Sequence, residues 1–240
     1  MLGRIILSIE PVTIPAQRIK PLEGRPAGTL VVHEIYRSIQ GESSWMGWPC
    51  VFVRLTACHL RCRWCDTPHA FGEGEPVPLG DVVARVLAEP CQLVEITGGE
   101  PLLQDEVFPL MTRLADAGRT VLLETSGAVD VSPVDRRVRI IMDLKCPGSG
   151  ECDQNIYENL DLLKPTDEIK FVIADRRDFD WSCEQVHSRR LTERFTVLFG
   201  PVFGELAPRT LAEWILESHL PVRMQLQLHK YIWDPQARGV

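Results

Sequence analysis

Apolar residues recur along this chain in two rhythms. Short runs rich in Val, Ile and Leu alternate with longer stretches whose apolar positions return every three or four residues. The runs 29–36 (TLVVHEIY), 50–57 (CVFVRLTA), 93–99 (LVEITGG), 119–125 (RTVLLET), 139–145 (RIIMDLK), 167–173 (DEIKFVI), 194–200 (RFTVLFG) and 222–230 (VRMQLQLHK) predict strands. Between several of them lie helical patterns. Residues 79–89 carry Val82, Val83, Val86 and Leu87 on one face, 102–118 end at a glycine, and 211–220 are helical in pattern. Repeated strand–helix alternation implies a parallel sheet with right-handed crossovers. The expected fold is α/β, an incomplete (βα)6-type TIM barrel with parallel strands, and a doubly wound open sheet is the competing architecture. Residues 1–28, rich in Pro, Gly and basic residues, read as an N-terminal extension, and 29–240 as the barrel domain.

Composition narrows the function classes. A chain of 240 residues with 45% hydrophobic content can bury a full core as one domain. The net charge of -7, with no long basic block, argues against bulk nucleic-acid binding. No apolar run approaches a membrane span. The short apolar patch at the N-terminus is broken by Glu10 and prolines, with no small-residue cleavage site after it. The expectation is a soluble cytoplasmic protein with neither a nucleic-acid nor a membrane partner. Eight cysteines in such a chain point away from a disulfide framework. Cys50, Cys91, Cys146, Cys152 and Cys183 have no recognisable spacing and read as ordinary thiols.

The other three, Cys58, Cys62 and Cys65, fall within eight residues directly after a strand. Barrel active sites form at the C-terminal ends of strands, and three further unusual loops occupy such ends: TGGEP (97–101), ETSG (124–127) and DLKCPGSG (143–150). Three thiolates suit zinc or an iron–sulfur cluster. Zinc would want a fourth ligand, for which His59 or His69 is at hand, although no second CxxC completes a ribbon. A redox pair leaves the third cysteine unexplained. A cluster held by three cysteines leaves one iron open to a chelating cofactor. In TGGEP, glycines allow close approach to the backbone.

Taken together, CxxxCxxC and GGEP make the chain similar to the radical S-adenosylmethionine superfamily, over about residue 29 to the C-terminus. The resemblance implies a 4Fe–4S cluster on Cys58, Cys62 and Cys65, with S-adenosylmethionine on the open iron. It also implies that Gly98, Gly99 and Glu100 hold the methionyl amino group.

Further features narrow the substrate. Gln40, Gly41 and Glu42 offer groups able to read a heterocycle. Arg54 shares a strand face with Phe52 and Thr56, opposite Val51, Val53 and Leu55, and so points where an anion is needed. Asp66 and Thr67 put hard oxygen donors after the last cysteine, and on chemistry alone Asp66 is the better Mg²⁺ ligand. Gln227 and His229 are expected at the end of the last strand. This set resembles the 7-carboxy-7-deazaguanine synthase family. The resemblance implies conversion of 6-carboxy-5,6,7,8-tetrahydropterin to 7-carboxy-7-deazaguanine and ammonia, on the route to queuosine, through a 5′-deoxyadenosyl radical and ring contraction. It implies Thr67 as the Mg²⁺ ligand, with the substrate set Ile39, Gln40, Gly41, Glu42, Arg54, Thr97, Glu124 and His229. It further implies S-adenosylmethionine contacts at Trp64, Cys65, Asp66, Lys145, Pro147 and Ser149, an electron donor such as flavodoxin, and a homodimer. Two departures stand out: Ser43 follows Glu42 where the family often has glycine, and the chain continues past Pro235. The rival readings are an activase that installs a glycyl radical on a partner enzyme, and a zinc-binding interaction module.

Overall fold

The structure is a computed structural model that describes residues 14–240. Of the expected N-terminal extension, residues 1–13 lie outside the described residues. Residues 14–28 form a short helix, α1 (Ala16–Ile19), and a 3₁₀ turn over Lys20–Leu22.

The core is one nine-stranded sheet in the order β3-β1-β2-β4-β5-β6-β7-β8-β9. Its strands are β1 (Thr29–Ile39), β2 (Pro49–Leu55), β3 (Glu75–Pro78), β4 (Leu93–Gly98), β5 (Thr120–Thr125), β6 (Arg139–Asp143), β7 (Glu168–Ile173), β8 (Thr196–Pro201) and β9 (Arg223–Met224). From β2 through β9 each neighbour is parallel, which gives the expected incomplete barrel. At the other edge, β1 is antiparallel to both β2 and β3, so the sheet is mixed and does not close. The segment between β1 and β2 is too short for a crossover and returns the chain antiparallel.

Strict alternation along the strands makes two chemically different faces. Val53, Leu55, Val94, Ile96, Val121, Leu123, Met142, Ile169, Phe171 and Phe199 point outward into the main core. There they meet α2 (Leu79–Ala88), α3 (Val107–Asp116), α4 (Arg176–Ser188) and α5 (Pro208–Ser218). Phe171, Phe179 and Phe199 pack edge to face within this layer. The inner face has an apolar floor, where Cys50, Phe52, Leu93, Leu122 and Ile141 cluster. Above that floor most inward positions are polar, with Val172 an apolar exception.

Two expectations need correction. The run 222–230 is not one long strand. β9 stops at Met224, and His229 opens a separate short helix, α6 (His229–Ile232). The Gln/Leu alternation that mimics a strand instead sends Gln225 and Gln227 to Glu42. The helix expected over 102–118 begins only at Val107, because Pro101–Leu103 forms a 3₁₀ turn behind the two glycines.

Candidate functional site

The cysteine loop starts with a backbone reversal. Ala57 has φ 79, a left-handed conformation unusual for a residue with a Cβ, and it turns the chain off β2 so that Cys58 enters the barrel mouth. Gly99 runs so close beneath that a Cβ on it would come within 2.3 Å of the Ala57 carbonyl and 2.7 Å of Cys58 Cβ. The loop is tied down by groups from two other segments, the turn after β6 and the arm before β1. Arg63 N donates to the Ser149 carbonyl at 2.9 Å, and Arg61 N donates to Glu151 Oε1 at 2.6 Å. Arg18 Nη1 donates to the His59 carbonyl at 2.5 Å and also reaches Glu151. All three cysteines of the loop are free thiols and line the same cavity. Burial, helped by the nearby Glu100 charge, pushes the Cys58 thiol up to about 12, and burial also raises Cys62. Metal binding there must release protons.

That cavity, of about 720 Å³, occupies the C-terminal mouth of the parallel strands. The size lies inside the range of small-molecule sites, about 300–1,000 Å³. Its polar wall comes from alternate strand positions. Lys170 Nζ, almost wholly buried, pairs with Glu42 Oε2 at 2.7 Å and with Glu124. Burial opposes the charge on Glu42, yet Lys170 and Gln227 outweigh it and hold the carboxyl below its ordinary range. Lys170 is itself held well above the usual lysine value: burial works against its charge, and Glu124 and Glu42 overcome it. Glu95 goes the other way. Burial and the charges of Glu124 and Glu42 raise its carboxyl well above normal, and Gln40 Nε2 donates to it. A Glu95 carboxyl pushed toward its protonated form, beside the Lys170-paired carboxylates, can offer both a donor and acceptors to a heterocycle.

On the mouth side, Arg54 finds its anion within the chain: Nε donates to Glu34 Oε1 at 2.8 Å, and Nη2 to the Tyr36 hydroxyl at 3.0 Å. Asp66 Oδ2 accepts from Lys230 Nζ at 2.9 Å and from Gln227 at 3.1 Å. The carboxyl is half-exposed, and Lys230 and Gln227 draw it down to about 2. Thr67 Oγ1 lies 3.9 Å from Cys65 Sγ with no comparable ion pair. Gly41 packs against the His229 ring so closely that an added Cβ would be 2.3 Å from Nδ1. The tail from Asp234 to Val240 crosses the mouth and completes the lining.

The structure therefore brings together Cys58, Cys62, Trp64, Cys65, Asp66, Thr67, Gly98, Gly99 and Lys145 with Ile39, Gln40, Gly41, Glu42, Arg54, Thr97, Glu124 and His229. Three expected residues stand behind the wall. Glu100 is fully buried, and its carboxylate accepts from Leu102 N, Thr125 Oγ1, Ser126 N and Ser126 Oγ. Pro147 and Ser149 belong to a 3₁₀ turn that props the cysteine loop through the Ser149 carbonyl. His59 is buried off the cavity, and burial lowers its imidazole. Sequence reasoning missed Glu34, Tyr36, Glu95, Asp143, Lys170 and Lys230, all of which line the cavity. For Glu95 and Lys170 a signal existed: each is a charge at the centre of an otherwise apolar strand.

Comparison with known proteins agrees with this geometry. The profile of the Radical SAM superfamily matches residues 53–188. A 7-carboxy-7-deazaguanine synthase of Chlorobaculum tepidum is 49% identical over 214 residues, covering 88% of this chain and 97% of that protein. One from Koribacter versatilis is 47% identical, covering 87% and 99%. The crystal structure of QueE from Escherichia coli superposes with a TM-score of 0.70 at 22% identity, over 84% of this chain and 95% of that one, a likeness of fold. Membership of that superfamily implies an iron–sulfur cluster in preference to zinc, and the named relatives favour a synthase over an activase. With its three free cysteines facing a polar chamber across one cavity, the chain belongs to the radical SAM superfamily and, within it, to the 7-carboxy-7-deazaguanine synthase family.

Proposed function

We propose that this chain converts 6-carboxy-5,6,7,8-tetrahydropterin to 7-carboxy-7-deazaguanine with loss of ammonia. The observation that carries the proposal is the single cavity shared by Cys58, Cys62, Cys65 and the Glu42–Lys170–Glu124–Glu95 set. Family membership implies a 4Fe–4S cluster and S-adenosylmethionine. The residues fit them: three free thiols from one loop are the donor set of a cluster with an open iron. Bound there, the cofactors supply one-electron chemistry that creates a carbon radical.

The protein's own share is recognition and placement. Gly98 and Gly99 present close backbone to S-adenosylmethionine, flanked by Trp64, Asp66 and Lys145. Glu100, Pro147 and Ser149 act from behind, by fixing the loops those residues ride on. Glu42, Glu124 and Glu95, the last held toward its protonated form, read the donors and acceptors of the substrate ring, aided by Gln40, Thr97 and His229, while Ile39 and Gly41 shape the wall. Arg54, already aligned by Glu34 and Tyr36, offers its remaining N–H groups to the substrate carboxylate. Thr67 would hold Mg²⁺, which supplies positive charge for that carboxylate. The commitment of Asp66 to Lys230 and Gln227 supports Thr67 over Asp66. We assign residues 29–240 to the catalytic domain and 1–28 to an extension on it. The eight free cysteines suit a reducing cytoplasm, and the family resemblance suggests a homodimer and an electron donor such as flavodoxin.

The test is anaerobic incubation of the reconstituted protein with dithionite, S-adenosylmethionine, Mg²⁺ and the tetrahydropterin. Mass spectrometry is expected to show both 5′-deoxyadenosine and the deazaguanine, and the absence of both overturns the assignment. Cys62→Ala is expected to abolish turnover and cluster absorbance together.

A further inference from the structure

We propose that the rim of the cavity carries a second metal site, for a zinc-class divalent ion, built from His33, Glu34 and His69. Neighbours on a regular strand point to opposite faces, so His33 and Glu34 should not share one. They do because the β1–β2 register shifts between Val32 and Glu34, a bulge at His33. Bulges of this kind re-aim side chains beside active sites. The result is that one ligand atom from each of His33, Glu34 and His69 lies within 4.8 Å of the others, and the two imidazole rings are 4.9 Å apart.

The outer shell is also in place. His33 Nδ1 lies 3.0 Å from the Glu73 carbonyl, so this nitrogen carries the proton and Nε2 is left for a metal. Glu34 gives Oε1 to Arg54, which leaves Oε2 for the ion. A histidine fixed by a backbone carbonyl and a carboxylate oriented by a second partner are what biological metal sites use to aim their ligands. One candidate donor atom of each residue already lies within 4.8 Å of the others, and side-chain rotation would close them to about 3.4 Å, the spacing set by metal–ligand bonds of ~2.1 Å. Two imidazoles and one carboxylate favour zinc over Mg²⁺, which wants oxygen throughout. Glu34 and His69 line the cavity, so an ion can enter from the mouth and keep an open position there. Once bound, it shares Glu34 with Arg54 and fixes that pair.

The experiment uses the full chain with its cluster reconstituted, titrated anaerobically with Zn²⁺ and desalted. We expect one retained zinc whose X-ray absorption shows a nitrogen/oxygen shell at about 2.0–2.1 Å and no sulfur at about 2.3 Å. His33→Gln and His69→Gln should each weaken zinc binding by at least about tenfold, the loss that even an outer-shell partner can cause, with cluster iron unchanged. No retained zinc, a sulfur shell that reveals the cysteine loop as the site, or unchanged binding in both variants overturns the proposal. These readouts do not depend on turnover, so they stand apart from the assignment of the reaction.

Discussion

Glu95 sits at the centre of a buried strand with Glu42 and Glu124 on the same side, and burial together with those charges raises its carboxyl. Because its carboxyl is raised in the folded chain, the unfolded chain ionises first, near pH 4.3. Wild-type stability is therefore lost as pH rises from there through the folded value. Glu95→Gln is expected to match wild type near pH 4 and to lack this decline, as urea unfolding at stepped pH would record. Lys170 is the complementary case. Lys170→Met leaves Glu42 and Glu124 without their shared cation, and the loss is expected to be about 3–5 kcal/mol in denaturant unfolding. Both residues were visible in the sequence as interruptions of apolar runs, but strand periodicity alone says only that they share a face. It takes the neighbouring strands to reveal which charge answers which. Arg54 shows the same limit: its need for an anion was legible, whereas Glu34, across an antiparallel pairing, was not.

At the scale of elements, the strand after which each unusual loop falls was readable from period-two alternation and glycine punctuation, and β2, β4, β5 and β6 lie where the pattern puts them. Failures came where side-chain bonding overrode pattern. α4 buries Asp178, Ser182 and Gln185 with Phe179 and Val186, so its inward face is too polar to announce itself. The C-terminal alternation of Gln and Leu reads as strand because nothing in it discloses that Gln225 and Gln227 are already committed to Glu42. Close packing between elements carries its own prediction. Gly99→Ala would set a methyl group against the Ala57 carbonyl and Cys58 Cβ, and the backbone on that side cannot step aside cheaply. Reconstituted Gly99→Ala is expected to lose most of its bound iron while far-ultraviolet circular dichroism stays near wild type.

At the scale of the molecule, an unclosed sheet leaves an open mouth over a cavity of about 720 Å³, and the helices keep most of the structural packing on the outer face. That division lets the inner face hold charges that a conventional core could not tolerate. It also makes the cysteine loop depend on remote segments for its shape. One of these is the arm before β1, whose Arg18 closes on the His59 carbonyl and on Glu151. Arg18→Ala is expected to speed bleaching of the cluster absorbance in air several-fold with little effect on thermal unfolding of the barrel. The contact makes the arm before β1 a handle on how long a bound cluster lasts. A chain altered only at Arg18 keeps every residue that lines the cavity, so two proteins with identical catalytic residues are expected to differ in how long they survive oxygen.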